Sequence, residues 1–119
     1  MSTTPAFTVD AVRARLAELE DPKMRAVNER HGDDHGVNLT KLRALAQEIG
    51  TDQPLARELW ATGDTAARLV AILIARPREF GEGELDAMLR EARVPKVHDW
   101  LVNYVVQKSP HAEALRLRW

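Results

Sequence analysis

Residues 65–76 read TAARLVAILIAR, a run whose only polar residues are Thr65, Arg68 and Arg76, set between Asp64 and Pro77. Asp64 can cap a helix here by accepting its free first-turn amides, and Pro77 closes it because the residue before a proline is pushed out of helical geometry. A helix that is apolar nearly all round must be covered on most of its sides. Its apolar stretch LVAILIA, residues 69–75, is far short of the roughly 20 residues that cross a bilayer. The run is therefore read as a core helix, an inner layer between adjacent helix pairs, and no membrane segment is expected.

The flanking sequence divides into helices of similar size. TVDAVRARLAELE places Val9, Val12, Leu16 and Leu19 at helical spacing behind a Thr8 cap and ends at Asp21-Pro22. DPKMRAVNERH restarts with Pro22 in a first turn, where a missing amide costs nothing. LTKLRALAQEIG carries Leu42, Leu45 and Ile49 on one stripe and stops at Gly50, and DQPLARELWATG runs from Pro54 to Gly63. EGELDAMLREAR, KVHDWLVNYVVQK and HAEALRLRW follow, separated by Pro95 and Ser109-Pro110. No segment alternates with period two between turns. Only WLVNYVV, rich in β-branched and aromatic residues, is open to a strand reading. About eight short helices joined by tight turns imply an all-α fold of antiparallel neighbours, either a bundle or an α-solenoid of helix pairs. The covering demanded by residues 65–76 favours the solenoid.

A chain of 119 residues suits one domain, here 1–119, with a first helix over 1–21. Hydrophobic residues make up 45% and charged residues 29%, which is enough apolar content to fold. Seventeen Lys and Arg against eighteen Asp and Glu leave a net charge of -1, so any nucleic-acid surface must be a local patch. Without cysteine, disulfides, thiolate metal sites and a cysteine nucleophile are excluded. The opening MSTTPAFTVD lacks the basic and apolar stretches of a signal peptide, and a cytoplasmic location is expected.

The densest polar constellation is HGDDHGVNL, residues 31–39. His31, Asp33, Asp34 and His35 are metal-ligand types, yet a carboxylate–imidazole site needs three or four ligands in fixed geometry, and only His98 and His111 remain elsewhere. A glycine-flanked loop offers no regular face to hold them. The reading adopted is a polar loop with Asp34 or Asn38 capping the next helix, and no metal or cofactor.

Three pieces in order, HGV…LRALAQEI, LARELWATGDTAARLVAILIARP and LDAMLREARVPKVHDWLVNYVV, resemble the DNA alkylation repair proteins built from HEAT-like helical repeats. The resemblance runs from about Met24 to Trp119, within a family-like region placed at 22–119. It implies a HEAT-like α-solenoid, truncated here because relatives are roughly twice as long, with a concave basic face that holds duplex DNA carrying alkylated bases. It also implies a DNA glycosylase that cleaves the N-glycosidic bond of alkylated purines. In that chemistry tryptophans stack on the cationic nucleotide while a carboxylate stabilises the developing positive sugar. This sequence departs from the family's pattern, in which the carboxylate follows the tryptophan by four positions. Here the fourth position after Trp100 is Tyr104, and Asp99, immediately before Trp100, is the remaining candidate catalytic carboxylate.

Trp100, Tyr104 and Asn103 can meet nucleotides or pack a core, and Arg90, Arg93, Lys96 and Lys108 are the expected phosphate contacts. Trp60, spaced with Leu55 and Leu59, reads as core. The final HAEALRLRW puts Leu115 and Trp119 on one face, which a homodimer, another protein or further repeats should cover unless Trp119 folds back on Trp100 or Leu101. Three functions stand: an alkylation-repair type DNA-binding protein with or without excision, a non-catalytic helical-repeat interaction module, and a metal-dependent enzyme of the histidine loop.

Overall fold

The computed structural model describes residues 7–30, 32 and 35–118. Its eight α-helices are α1 (Val9–Glu18), α2 (Pro22–Arg30), α3 (Leu39–Ile49), α4 (Gln53–Ala61), α5 (Thr65–Ile74), α6 (Glu82–Glu91), α7 (Pro95–Trp100) and α8 (Ala112–Arg118). No strand is present among the described residues, and WLVNYVV is helical throughout. Among the described residues no helix is long and apolar enough to cross a membrane.

The helix starts follow from side chains that satisfy first-turn amides. Thr8 accepts from Ala11, Asn38 from Thr40 and Lys41, Asp52 from Leu55, and Asp64 from Ala67. Gly50 and Gly63, both at φ 76°, turn the chain after α3 and α4 in a conformation that costs a side-chain-bearing residue. Helix α5 ends at Ile74, two residues before Arg76: Ala75 and Arg76 are already extended ahead of Pro77.

Helix α5 is the centre of the fold. Thr65, Ala66, Ala67, Leu69, Val70, Ala71, Ile72 and Ile74 are all buried on it, and α1, α3, α4 and α7 pack around it. The molecule measures 47 × 40 × 20 Å, and its shortest dimension equals two layers of helices about 10 Å across. Helices α3, α5 and α7 are neighbours in that order, and the antiparallel α4 is α5's most extensive partner.

Residues 95–108 form one continuous helical rod with a changing pitch. Helix α7 opens into a π turn over Leu101–Val105 and tightens into a 3-10 turn over Val106–Lys108. The wide turn advances the buried face by a residue, so Val105 and Val106 both enter the core while Tyr104 stays half-buried at its edge.

The segment before α3 is held by a two-residue antiparallel bridge, Glu20 to Val37. Asp21 N–H donates to the Gly36 carbonyl at 2.9 Å, and the Gly36 amide donates to Glu20 Oε2 at 2.8 Å. Arg25 grips Oε1 of the same carboxylate through Nε and Nη2 at 3.1 and 2.6 Å. Burial opposes ionisation of Glu20, but the Arg25 hydrogen bond, the Gly36 amide and the Arg25 and His35 charges outweigh it and hold the carboxyl below its usual 4.5. A lowered folded-state value stabilises the fold above the unfolded value, and this support disappears as pH falls from about 4.5 through the folded value. Between pH 5 and pH 3 the melting temperature of Glu20→Gln is therefore expected to fall less steeply than that of the wild type. Parallel melting curves over that range would sink the assignment.

Candidate nucleic-acid interface

Trp100 and Tyr104, one turn apart on the rod, meet edge to face with ring centroids 5.6 Å apart. Trp100 is 8% exposed, so its ring is chiefly a core group, with one face under the guanidinium of Arg43 at 4.5 Å. Arg43 projects from α3, lies 5.7 Å from the Tyr104 ring and donates from Nη2 to the Tyr104 hydroxyl at 3.2 Å. A cation over an aromatic face gains about 0.5–2 kcal/mol, more as the pair is shielded from water. Arg43, absent from the sequence-based candidates, thus stands where α3 meets α7. Its only sequence signal is a place on the exposed stripe of α3 with Thr40, Ala44 and Gln47, opposite Leu42 and Leu45.

An open groove of about 690 Å³ runs beside this cluster, lined by Thr40, Arg43, Ala44 and Gln47 of α3 and Leu73 of α5. No carboxylate of the described residues lines it. At Thr51 it meets a second depression of about 500 Å³ bounded by Arg76, Arg78, Glu79 and Lys108.

The remaining sequence candidates scatter around this geometry. Asp99 is exposed on α7, one residue round the helix from Trp100, and shares its face with Lys96 and Asn103 by helical spacing. The Asn103 side-chain Oδ1 accepts from Gln107 Nε2 at 3.4 Å. Arg90 is exposed on α6 and pairs with Asp86 at 3.1 Å, and Arg93 is exposed in the turn before α7. Lys108 is gathered with Arg76 and Arg78 in the second depression.

Trp60 is buried structure. Its indole N–H donates to Glu91 Oε2 at 2.6 Å, and Arg68 covers its ring at 4.5 Å while donating to the Trp60 and Glu91 carbonyls. The knot ties α4, α5 and α6 together.

Of the histidine loop, His31, Asp33 and Asp34 lie outside the described residues. His35 is 2% exposed, and its Nδ1 accepts the Val37 amide at 3.1 Å, so this imidazole is engaged in forming the turn into α3. Asn28 donates to the His35 and Val37 carbonyls at 3.0 and 3.4 Å from the other side. No group of three or more metal-ligand side chains occurs among the described residues. At the other end Leu115 is buried and Leu117 is 75% exposed, while Trp119 lies outside the described residues.

No curated protein matches the chain. A solved structure described as belonging to "a new family of proteins related to the HEAT-like repeat DNA glycosylases with affinity for branched DNA structures" matches 95% of this chain with a TM-score of 0.83 at 24% identity. That match covers 49% of the other chain, so the present chain spans about half its length. The likeness fixes the fold as a HEAT-like helical repeat. The model of the family described as DNA alkylation repair enzyme matches residues 12–119, nearly the whole chain. On that match the protein belongs to the DNA alkylation repair enzyme family.

Proposed function

We propose that this domain binds DNA, without excising bases, through the groove that α3 and Leu73 of α5 line beside Trp100 and Tyr104. The observation that carries the reading is Arg43, stacked on Trp100 and bonded to Tyr104 at the edge of a groove that no described carboxylate lines. A guanidinium at such a place offers a phosphate oxygen two donors, and the Tyr104 edge offers a base or sugar an apolar contact. Excision asks for the opposite field. Cleaving the glycosidic bond builds positive charge on the sugar, and a cation at 4.5 Å from Trp100 raises that barrier. Asp99, the carboxylate that chemistry would use, belongs to the neighbouring face of α7. A DNA ligand is also in keeping with the affinity for branched DNA attributed to the structurally similar protein.

A titration with two labelled duplexes, one undamaged and one carrying a cationic nucleotide analogue, tests both halves of the reading. Binding is expected to weaken with salt, to show no preference for the cationic nucleotide and to release no base. Arg43→Glu should weaken it about tenfold at 0.1 M salt and lower the salt slope by about one, as for one lost phosphate contact. Base release abolished by Asp99→Asn would overturn the non-excising reading.

A second reading is a protein-interaction module that docks through an apolar groove of about 450 Å³ between Leu89, Val102, Val106 and Leu115. It would stand in place of the first if neither duplex binds at low salt.

A further inference from the structure

We propose that the depression at the C-terminal ends of α3, α5 and the 95–108 rod is a second phosphate-contact site, built by Arg78 and Lys108 and continuous with the Arg43 groove. The inference rests on the DNA-binding reading and extends it to residues some way along the groove.

Three turns converge there. Thr51 follows α3, Arg76 and Arg78 follow α5, and Lys108 ends the rod. The first two are clamped to each other. Gln53, 2% exposed, accepts the Arg76 amide on Oε1 at 2.6 Å, and the Asp52 amide donates to the Ile74 carbonyl at 2.9 Å. The 3-10 turn of Pro77–Glu79 packs on that of Val106–Lys108, which brings Arg78 beside Lys108. These cations therefore stand on fixed backbone, where less ordering entropy opposes a bound anion.

Charge separates this surface from the rest of the molecule. The chain as a whole carries -1, yet the two joined depressions hold Arg43, Arg76, Arg78 and Lys108 against the single carboxylate of Glu79. Arg76 pairs with that carboxylate at 3.0 Å, whereas Arg78 and Lys108 have no carboxylate partner among the described residues. Two uncompensated cations at one end of an elongated groove whose single described carboxylate is already paired with Arg76, with a third at the other end, suit a polyanion lying along it. A regularly charged backbone fits such an array better than a single small anion, which would engage one end only.

The test uses the full chain, an undamaged labelled duplex and the double variant Arg78→Glu/Lys108→Glu. Lys23→Glu/Arg30→Glu on α2 changes the net charge equally and serves as control. All four residues are exposed, and circular dichroism verifies that both variants are folded. Loss of two phosphate contacts should lower the salt slope by about 1.8 and weaken binding about 60-fold at 0.1 M salt, with little change in the control. If the wild type binds and the two variants lose affinity alike, the second site is wrong while DNA binding stands. If the wild type binds no duplex, the DNA-binding reading fails and takes this site with it.

Discussion

Leu69→Ala is expected to lower the unfolding free energy by roughly 3–5 kcal/mol. Leu69 is 0% exposed in the middle of the one helix covered on nearly every side, between α3, α4 and α7. Each of those helices is fixed elsewhere, α3 by its Asn38 cap, α4 by its Asp52 cap and the Trp60 knot, and α7 by Arg43 over Trp100, so none is free to collapse into the space left behind. The loss is then the transfer free energy of the deleted atoms plus the cost of a persistent cavity. Small domains hold about 5–15 kcal/mol in all, so this single change consumes roughly a fifth or more of the reserve. Urea unfolding measures it, with an unchanged m-value expected because the folded surface is the same. A loss below about 1 kcal/mol would mean that α5 is not the packed centre.

Gly36→Ala should cost roughly 2–3 kcal/mol, as overpacking of a site that cannot give way. A Cβ at Gly36 would lie 2.9 Å from the Arg25 Cβ, 2.9 Å from the Asp21 carbonyl oxygen and 2.9 Å from Glu20 Oε1. Two of these atoms belong to or adjoin the backbone. Relieving the contact means separating Glu20 and Asp21 from Gly36 and Val37, which breaks the bridge and both of its hydrogen bonds. Faster hydrogen exchange at the Asp21 and Gly36 amides would report that separation directly. Gly83→Ala is the contrast: nothing lies within 4 Å of its added Cβ inside α6, and a gain of about 0.5–1 kcal/mol is expected there. Similar effects of the two substitutions would remove the steric argument.

What the sequence makes legible here is local. Asn38, Asp52 and Asp64 announce helix starts and Gly50 and Gly63 announce turns because each acts within a few residues of itself. The burial of α5 is legible too, since no solvated face can be drawn on it. The contacts that make the groove are not. Arg43 and Trp100 lie 57 positions apart, and nothing in LTKLRALAQEI marks one arginine as the partner of an indole. Lys108 reads as a neighbour of Lys96 along the chain, yet the folding of three helix ends sets it beside Arg78. The histidine loop misleads for a related reason. His35 and Gly36 owe their importance to Glu20 and Asn28, residues that pattern reading assigns to separate helices.

The bridge also means that the chain leaves the domain at Asp21 and returns to it at Gly36, at nearly one point in space. Between them α2 buries Asn28 alone. An excursion whose two ends meet at a common root can be lengthened at small cost: doubling its length costs only about 0.6 kcal/mol in closure entropy. It is a natural position in this protein for an inserted tag or fluorophore that leaves α3 and the groove it lines as they are.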